Sequence, residues 1–185
     1  MNPEQGWIER LRRGDGSGLP PLMDRYGHEV YRTAALLIRD RHSAEDISQE
    51  VFLIVYQKIG QFQGEGSLRG WLLQITINLC RSRMRRASWR RLVFFGLEHP
   101  GLVSSDRGLE RYAESDSLMG CIRQLPYKYR EVIVLYYYRD MYIREMAELL
   151  GESEGTVKSK LSRAKRLLKK LLEAGGWKDE SKAWE

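Results

Sequence analysis

Apolar residues recur every three or four positions along most of this chain of 185 residues. In the segment PPLMDRYGHEVYRTAALLI, five of them form one stripe: Leu22, Tyr26, Val30, Ala34 and Leu37. This spacing places the side chains on one face of an α-helix, whereas a half-buried strand would alternate apolar and polar residues. No segment shows a convincing strand pattern, so the sequence predicts an all-α fold.

Two further periodic segments follow, separated by the glycine-rich break GQFQGEGS. Ser43 is a candidate N-cap for SAEDISQEVFLIVYQKI, and Ser67 is a candidate N-cap for SLRGWLLQITINLCRSRMRR. The first helix is expected to bury Ile47, Val51, Ile54 and Ile59, with Phe52 and Tyr56 as a second apolar edge. In the second helix, the residues expected to face the core are Leu68, Leu72, Ile75 and Leu79.

The periodicity fades after Ala87, where Pro100, Gly101 and Gly108 are typical of a linker. We therefore predict two small helical domains joined by a flexible linker. The predicted boundaries are 1–87 for the N-terminal domain, 88–115 for the linker, 116–174 for the C-terminal domain and 175–185 for a polar tail. Pro126 is expected in the first turn of a helix of the second domain.

The segment GESEGTVKSKLSRAKRLLKKLL has the pattern of the second half of a helix-turn-helix. Gly151 can end the preceding helix in a left-handed conformation, and Ser153 can cap the next helix. Ala147 is small where the two helices must cross. The second helix carries one apolar stripe: Val157, Leu161, Ala164, Leu168 and Leu171. Its opposite face is basic, which indicates DNA binding; a solvated cationic helix packed on a neighbour is the alternative.

The charge distribution supports a polyanionic partner. Lys and Arg outnumber Asp and Glu by 31 to 25. RSRMRRASWRR contains six arginines and no acid, whereas the stretch from Leu97 to Met119 contains five acids and two arginines. Two basic modules therefore flank an acidic connector.

Several classes of function find no support in the residues. Cys80 and Cys121 are isolated, and the three histidines are scattered, so we expect no metal site and no cofactor. The glycine spacing of QFQGEGSLRG matches no phosphate-binding loop. No catalytic constellation is evident, and we expect a protein that is not an enzyme. The N-terminal segment lacks the apolar core of a signal peptide, and no run approaches a membrane span, so a cytoplasmic location is expected.

Two segments together resemble one family. AEDISQEVFLIVYQKIGQFQGEGSLRGWLLQITINLCRSRMRR closely resembles the promoter-melting domain of the extracytoplasmic-function (ECF) sigma factors of bacterial RNA polymerase. LPYKYREVIVLYYYRDMYIREMAELLGESEGTVKSKLSRAKRLL resembles the C-terminal domain of the same family. The family often has Asp where this chain has Ser82, four residues after Asn78. The resemblance implies a factor that binds core RNA polymerase and directs promoter recognition, DNA melting and transcription initiation.

The resemblance also implies three sets of site residues. Core polymerase would be bound by Asp46, Gln49, Glu50 and Phe52. The unpaired non-template strand of the minus-ten element would be bound by Phe62, Gly64, Glu65, Ser67, Trp71, Gln74, Asn78, Arg81 and Arg85. The minus-thirty-five duplex would be bound by Ser153, Glu154, Thr156, Lys158, Ser159, Lys160, Ser162, Arg163 and Arg166. The implied partners are core polymerase, promoter DNA and an anti-sigma factor.

Each assignment has an alternative that the residues leave open. Asp46, Gln49 and Glu50 can simply belong to a solvated helix face, and Trp71 beside Leu72 can be a core residue. For the whole chain, the main alternative is a conventional helix-turn-helix transcription regulator that binds duplex DNA without polymerase. A nucleic-acid enzyme would need an acid, base or metal cluster, and a structural protein would leave the basic helices without a role.

Overall fold

The structure is a computed structural model that describes residues 3–62, 64, 66–95 and 118–176; for 87–95 it describes the backbone only. The chain divides into two compact units, Met1–Leu97 and Glu98–Glu185. Every described element is helical, which confirms the all-α prediction. Among the described residues, no helix combines the length and the apolarity that crossing a membrane requires.

The described residues of the N-terminal unit form four α-helices. They are α1 (Pro3–Arg12), α2 (Leu19–Leu37), α3 (Arg41–Lys58) and α4 (Leu68–Phe95), with short 3₁₀ turns at Gly16–Gly18 and Ile59–Gln61. Helices α2, α3 and α4 contact one another. All five residues of the predicted α2 stripe are buried between them, which confirms that prediction. Helix α4 continues to Phe95, into the segment that the sequence assigns to the linker.

The inward face of α4 differs from the prediction. Ile75 and Leu79 are only half-buried. Within residues 68–86, whose side chains the structure describes, the buried positions of this helix are Leu68, Leu72, Leu73, Thr76, Ile77 and Cys80. Because α4 contacts both α2 and α3, its buried face is broad and is displaced from the single stripe that the spacing indicates.

The sequence predicts a serine N-cap for both α3 and α4, and the structure confirms only the cap of α4. The prediction of Ser43 as the N-cap of α3 is wrong, because the helix begins at Arg41 and Asp40 is its N-cap. The Asp40 carboxylate accepts a hydrogen bond from the Ser43 backbone N–H at 2.8 Å. Ser67 caps α4 as predicted, since its Oγ accepts a hydrogen bond from the Gly70 N–H at 3.0 Å.

Residues 118–176, the described part of the C-terminal unit, form four further α-helices. They are α5 (Leu118–Gln124), α6 (Tyr127–Ile133), α7 (Ile143–Leu150) and α8 (Glu154–Ala174), and a π-helical turn, Val134–Tyr138, follows α6 directly. Pro126 occupies the N-cap position of α6, one residue before the predicted first turn. Val157, Leu161 and Ala164 of the predicted stripe are buried, and Leu168 and Leu171 are half-buried. Helix α8 contacts α5, α6 and α7 through this face, which leaves its opposite face open to solvent.

Candidate nucleic-acid interface

The turn between α7 and α8 has the geometry that the sequence predicts. Gly151 adopts φ 66° and ψ 37°, a left-handed conformation that only glycine adopts at no steric cost. The Ser153 hydroxyl accepts a hydrogen bond from the Thr156 N–H at 3.1 Å and lies 2.9 Å from the Thr156 hydroxyl. These contacts stop α7 and start α8 within three residues, which fixes the angle at which α8 leaves the turn.

The exposed face of α8 brings most of the predicted duplex-binding residues together. The exposed members are Ser153, Glu154, Thr156, Lys158, Ser159, Ser162, Arg163 and Arg166. Lys158 lies 3.6 Å from Glu154, four residues earlier on the same exposed face. Within residues 118–176, Arg163 and Arg166 form no ion pair. Their guanidinium groups are exposed and open to phosphate.

Lys160 differs from the other basic residues of this helix. Its Nζ lies 2.5 and 2.6 Å from the two carboxylate oxygens of Glu152, which stands in the turn. Both side chains are about four-fifths buried, with exposures of 23% and 21%. The Lys160 charge is therefore already neutralised by the helix-turn-helix itself.

A cavity of about 430 Å³ opens beside the first turns of α8. Its walls come from two helices and are formed by Lys128, Tyr129, Ser153, Gly155, Thr156, Ser159, Lys160 and Arg163. No acidic side chain is among them. Lys128 and Tyr129 belong to α6 and were not predicted as site residues, because their only signal in the sequence is a Lys beside two tyrosines.

Two basic residues further along α8 are held by other side chains. Lys165 Nζ lies 5.1 Å from the ring centre of Tyr136 and 5.6 Å from that of Tyr137. Lys169 lies 3.9 Å from Glu173. The cation of Lys165 therefore faces aromatic rings of the π-helical turn.

The N-terminal unit presents a polar stripe on α4. Gln74, Asn78 and Arg85 are exposed, and Arg81 is half-buried. Asn78 offers both a donor and an acceptor to solvent, which is what the recognition of a base edge requires. Ser82, the position that departs from the family pattern, is half-buried beside this stripe.

The break before α4 contains two glycines in left-handed conformations. Gly64 has φ 82° and Gly66 has φ 83°. A Cβ at either position would meet nothing within 4 Å, so the backbone conformation, and not the surrounding space, requires glycine here. Ser67 is exposed and uses its hydroxyl to cap α4. Glu65 lies outside the described residues.

Phe62 and Trp71 form an aromatic pair at the edge of this stripe. Their ring centres are 5.4 Å apart and their planes are tilted by 36°. Phe62 is buried, with 8% exposure, and Trp71 is half-buried. The Phe62 ring therefore faces the protein, so its assignment to the strand-binding residues is wrong, while part of the Trp71 indole remains accessible.

The predicted polymerase-binding residues of α3 do not all share one surface. Asp46, Gln49 and Glu50 are exposed, and Asp46 Oδ2 lies 3.5 Å from an Arg83 nitrogen on α4. Phe52 is buried, with 3% exposure, so its assignment to a contact surface is wrong. Successive residues of an α-helix point in different directions around its axis, and here Phe52 points toward the core while its neighbour Leu53 points toward solvent. Leu53 and Tyr56 are 59% and 43% exposed, and they supply the apolar part of this face.

No group of three or more His, Cys, Asp or Glu side chains with the arrangement of a metal site occurs in the part of the chain that the structure describes. Cys80 and Cys121 are both buried.

Comparisons with known proteins identify the family. Residues 22–90 match the description Sigma-70 region 2, and residues 115–168 match Sigma-70, region 4. The ECF RNA polymerase sigma factor SigW of Bacillus subtilis is 29% identical over 182 residues, covering 89% of this chain and 94% of that protein. The RNA polymerase sigma-H factor of Pseudomonas aeruginosa is 25% identical over 181 residues, covering 92% and 94%.

A solved structure has the same fold. The sigma factor RpoE from Bartonella quintana, in complex with the anti-sigma factor NepR, superposes with a TM-score of 0.65 at 22% identity, covering 83% of this chain and 95% of that chain. The chain belongs to the sigma-70 family, in its ECF group. It is a sigma factor that directs transcription initiation by RNA polymerase, as the sequence predicted, and the alternative of a conventional regulator finds no support in the relatives.

Proposed function

We propose that this sigma factor binds promoter DNA through two described surfaces and core polymerase through a third. The exposed face of α8 holds the minus-thirty-five duplex, the polar stripe of α4 holds the unpaired minus-ten strand, and the exposed face of α3 binds core polymerase. The observation that carries the proposal is that the region 2 and region 4 matches each contain one exposed polar face suited to nucleic acid. The predicted boundaries at 87, 115 and 174 belong to the same proposal.

On the duplex side, the first turns of α8 contact base edges and the arginines hold phosphates. Ser159, Ser162 and Arg163 project from the exposed face toward the major groove. Lys128 approaches the same cavity from α6 and adds a phosphate contact. Lys160 positions the helix through Glu152 and does not contact DNA.

On the melted side, α4 stabilises bases after they leave the duplex. Asn78 hydrogen-bonds an extruded base, Gln74 and Trp71 line its path, and Arg81 and Arg85 hold the backbone. Unstacking costs a few kcal/mol per base, and binding of the extruded base offsets that cost. Melting by this route requires no nucleotide hydrolysis by the chain, so we propose that it is not an enzyme.

The α3 face combines charge and apolar area. Asp46, Gln49 and Glu50 orient the factor on a basic polymerase surface, while Leu53 and Tyr56 are desolvated on docking. Because the Bartonella quintana relative was solved with an anti-sigma factor, we propose that an anti-sigma factor regulates this chain too. A cytoplasmic location follows from a partnership with RNA polymerase.

The test is reconstitution of initiation. The purified chain is added to core RNA polymerase with a supercoiled promoter library in which the minus-ten and minus-thirty-five elements are randomised. We expect transcripts that start at a fixed distance from two enriched elements. A chain that enriches duplex sites alone, with no initiation by core polymerase, would contradict the proposal. The enriched promoter then serves as the probe in the experiments below.

A further inference from the structure

The end of helix α1 contacts the segment that leads into the minus-ten surface. An Arg12 guanidinium nitrogen donates a hydrogen bond to the backbone carbonyl of Phe62, 50 residues further along the chain. Helix α1 lies before residue 22, where the match to region 2 begins. The contact therefore joins a part of the chain outside the family match to a part inside it.

Helix α1 is a fixed support for this arginine. Ile8 and Leu11 are buried against the unit, with exposures of 7% and 3%. The Glu4 carboxylate accepts a hydrogen bond from the Tyr26 hydroxyl at 2.6 Å and lies 2.9 Å from Arg25 Nε. A Cβ at Gly18 would collide with the Trp7 carbonyl, so the 3₁₀ turn packs closely against α1. These contacts restrain α1 along its length and so limit where Arg12 can reach.

The Phe62 carbonyl is well placed to transmit that restraint. Phe62 ends the Ile59–Gln61 turn, where its N–H donates to the Ile59 carbonyl at 3.1 Å. Its ring packs on Trp71, which stands three and seven residues before Gln74 and Asn78 on α4. Residues at that spacing share one helix face, so a shift of Phe62 moves the edge of the minus-ten surface.

We infer that Arg12 is a positioning residue for minus-ten recognition. By holding the Phe62 carbonyl, it keeps the Phe62–Trp71 pair in the position from which Trp71 borders the path of the extruded base. A charged donor forms a strong hydrogen bond to this partly buried backbone carbonyl, and the geometry exists before DNA arrives. The inference rests on the proposed role of the α4 stripe.

The experiment measures binding of the holoenzyme to a promoter fragment whose minus-ten non-template strand is already single-stranded. We expect Arg12→Ala to weaken this binding about tenfold, the loss that follows from one charge-assisted hydrogen bond. Binding to the minus-thirty-five duplex should stay unchanged. Arg12→Lys, which retains a donor of similar reach, should restore most of the affinity.

Arg13→Ala is the matched control, because Arg13 pairs with Glu9 on the surface, where the two side chains are 79% and 65% exposed. We expect it to bind like the unaltered protein. Amide hydrogen exchange in the DNA-free protein gives a second readout: exchange at Phe62 should rise in Arg12→Ala and stay constant in Arg13→Ala. This readout remains informative if Arg12→Ala also lowers the stability of α1.

Three results would overturn the inference. Unchanged single-strand binding and unchanged exchange in Arg12→Ala would show that the hydrogen bond positions nothing. A failure of Arg12→Lys to restore affinity would contradict a role for the donor. A fall of about 0.7 in the slope of log affinity against log salt would show instead that Arg12 contacts a phosphate directly.

Asn78→Ala in the same assay separates this inference from the proposed function. If Asn78→Ala weakens single-strand binding and Arg12→Ala does not, the positioning role alone is wrong. If neither variant weakens it, the α4 stripe is not the minus-ten surface, and both proposals are wrong.

Discussion

The ammonium group of Lys160 and the carboxylate of Glu152 form a two-point ion pair, at 2.5 and 2.6 Å, across the turn of the helix-turn-helix. This pair is about four-fifths buried, whereas the Lys158–Glu154 pair on the exposed face of α8 is more than half exposed. Exposed pairs contribute little and yield easily to another partner. Lys158 is therefore available to DNA, and Lys160 is committed to the turn.

This difference predicts opposite behaviour for two basic residues of one helix. Lys160→Met should lower the free energy of unfolding of the C-terminal unit by about 1–2 kcal/mol, because the mostly buried ion pair with Glu152 is lost. Arg163→Met should leave the stability unchanged and reduce the salt slope of duplex binding by about 0.9. Thermal denaturation and anisotropy titrations of the holoenzyme over a KCl series measure the two quantities. Lys170→Met is the control for loss of one exposed charge, and a slope change in Lys160→Met equal to that of Arg163→Met would count against the division.

Asn78→Ala should impair melting more than initial binding. The amide is exposed on α4 and is proposed to contact a base only after extrusion, so the closed complex should form with unchanged affinity. We expect the open complex to be reduced about tenfold, the effect of losing one well-aligned pair of hydrogen bonds to a base. Permanganate reactivity of minus-ten thymines reports the open complex, and a gel shift at low temperature reports the closed one. Gln5→Ala removes an exposed amide from α1 and serves as the control; equal losses in both complexes would contradict the role of Asn78.

Neighbouring residues of α3 should separate stability from polymerase binding. Phe52→Ala should lower the free energy of unfolding by about 3–5 kcal/mol, because it removes a buried ring from the core. Leu53→Ser should leave the stability within about 0.5 kcal/mol and weaken the affinity for core polymerase, because the side chain is exposed in the free protein.

Denaturant unfolding and a competition assay for core polymerase measure these two effects. Met23→Ser, on the exposed face of α2, controls for the loss of an exposed apolar side chain. Unchanged polymerase affinity in Leu53→Ser would remove Leu53 from the docking face.

The N-cap of α3 gives a prediction for pH. Hydrogen bonds from Ser43 lower the pKa of the Asp40 carboxyl below its usual value, and they outweigh the opposing effect of partial desolvation. Because the folded-state pKa is lower than the unfolded one, the contribution to stability is complete above the unfolded pKa of about 3.9 and is lost as pH falls through the folded pKa.

Asp40→Ala should therefore cost about 1 kcal/mol at pH 7. The difference from the unaltered protein should shrink as the pH falls below about 4, in urea unfolding followed by circular dichroism. A cost that stays constant down to pH 2 would mean that the ionised carboxylate is not what caps the helix.

The sequence is most informative where a local rule decides the structure. Gly151 is left-handed and Ser153 caps α8, because the backbone conformation at a helix boundary depends on a few adjacent residues. The α2 stripe is correct because that helix has one wide apolar face. Ser43 and Asp40 are both good cap residues three positions apart, and only the packed position of α3 decides between them.

The site residues were less predictable, because tertiary packing decides which side chains reach the surface. Phe52 and Leu53 are adjacent apolar residues, and the sequence does not say which of them faces the core. The pairing of Lys160 with Glu152 and the approach of Lys128 to α8 depend on how helices cross, a property of the tertiary structure. Residue type identifies what kind of partner the surface suits, while three-dimensional packing decides which side chains reach it.

The ion pairs of α8 have a consequence for how this factor behaves among bulk chromosomal DNA. Lys158, Lys160 and Lys169 each face a glutamate, and Lys165 faces two tyrosine rings. Non-specific affinity grows with the number of phosphates that a surface neutralises. The Lys160–Glu152 pair is mostly buried, so the charge of Lys160 is withheld from random-sequence DNA, whereas the exposed pairs of Lys158 and Lys169 yield to phosphate. We therefore expect the free factor to have one phosphate contact fewer than its lysine count suggests, which lowers its affinity for the large excess of non-specific sites on the chromosome.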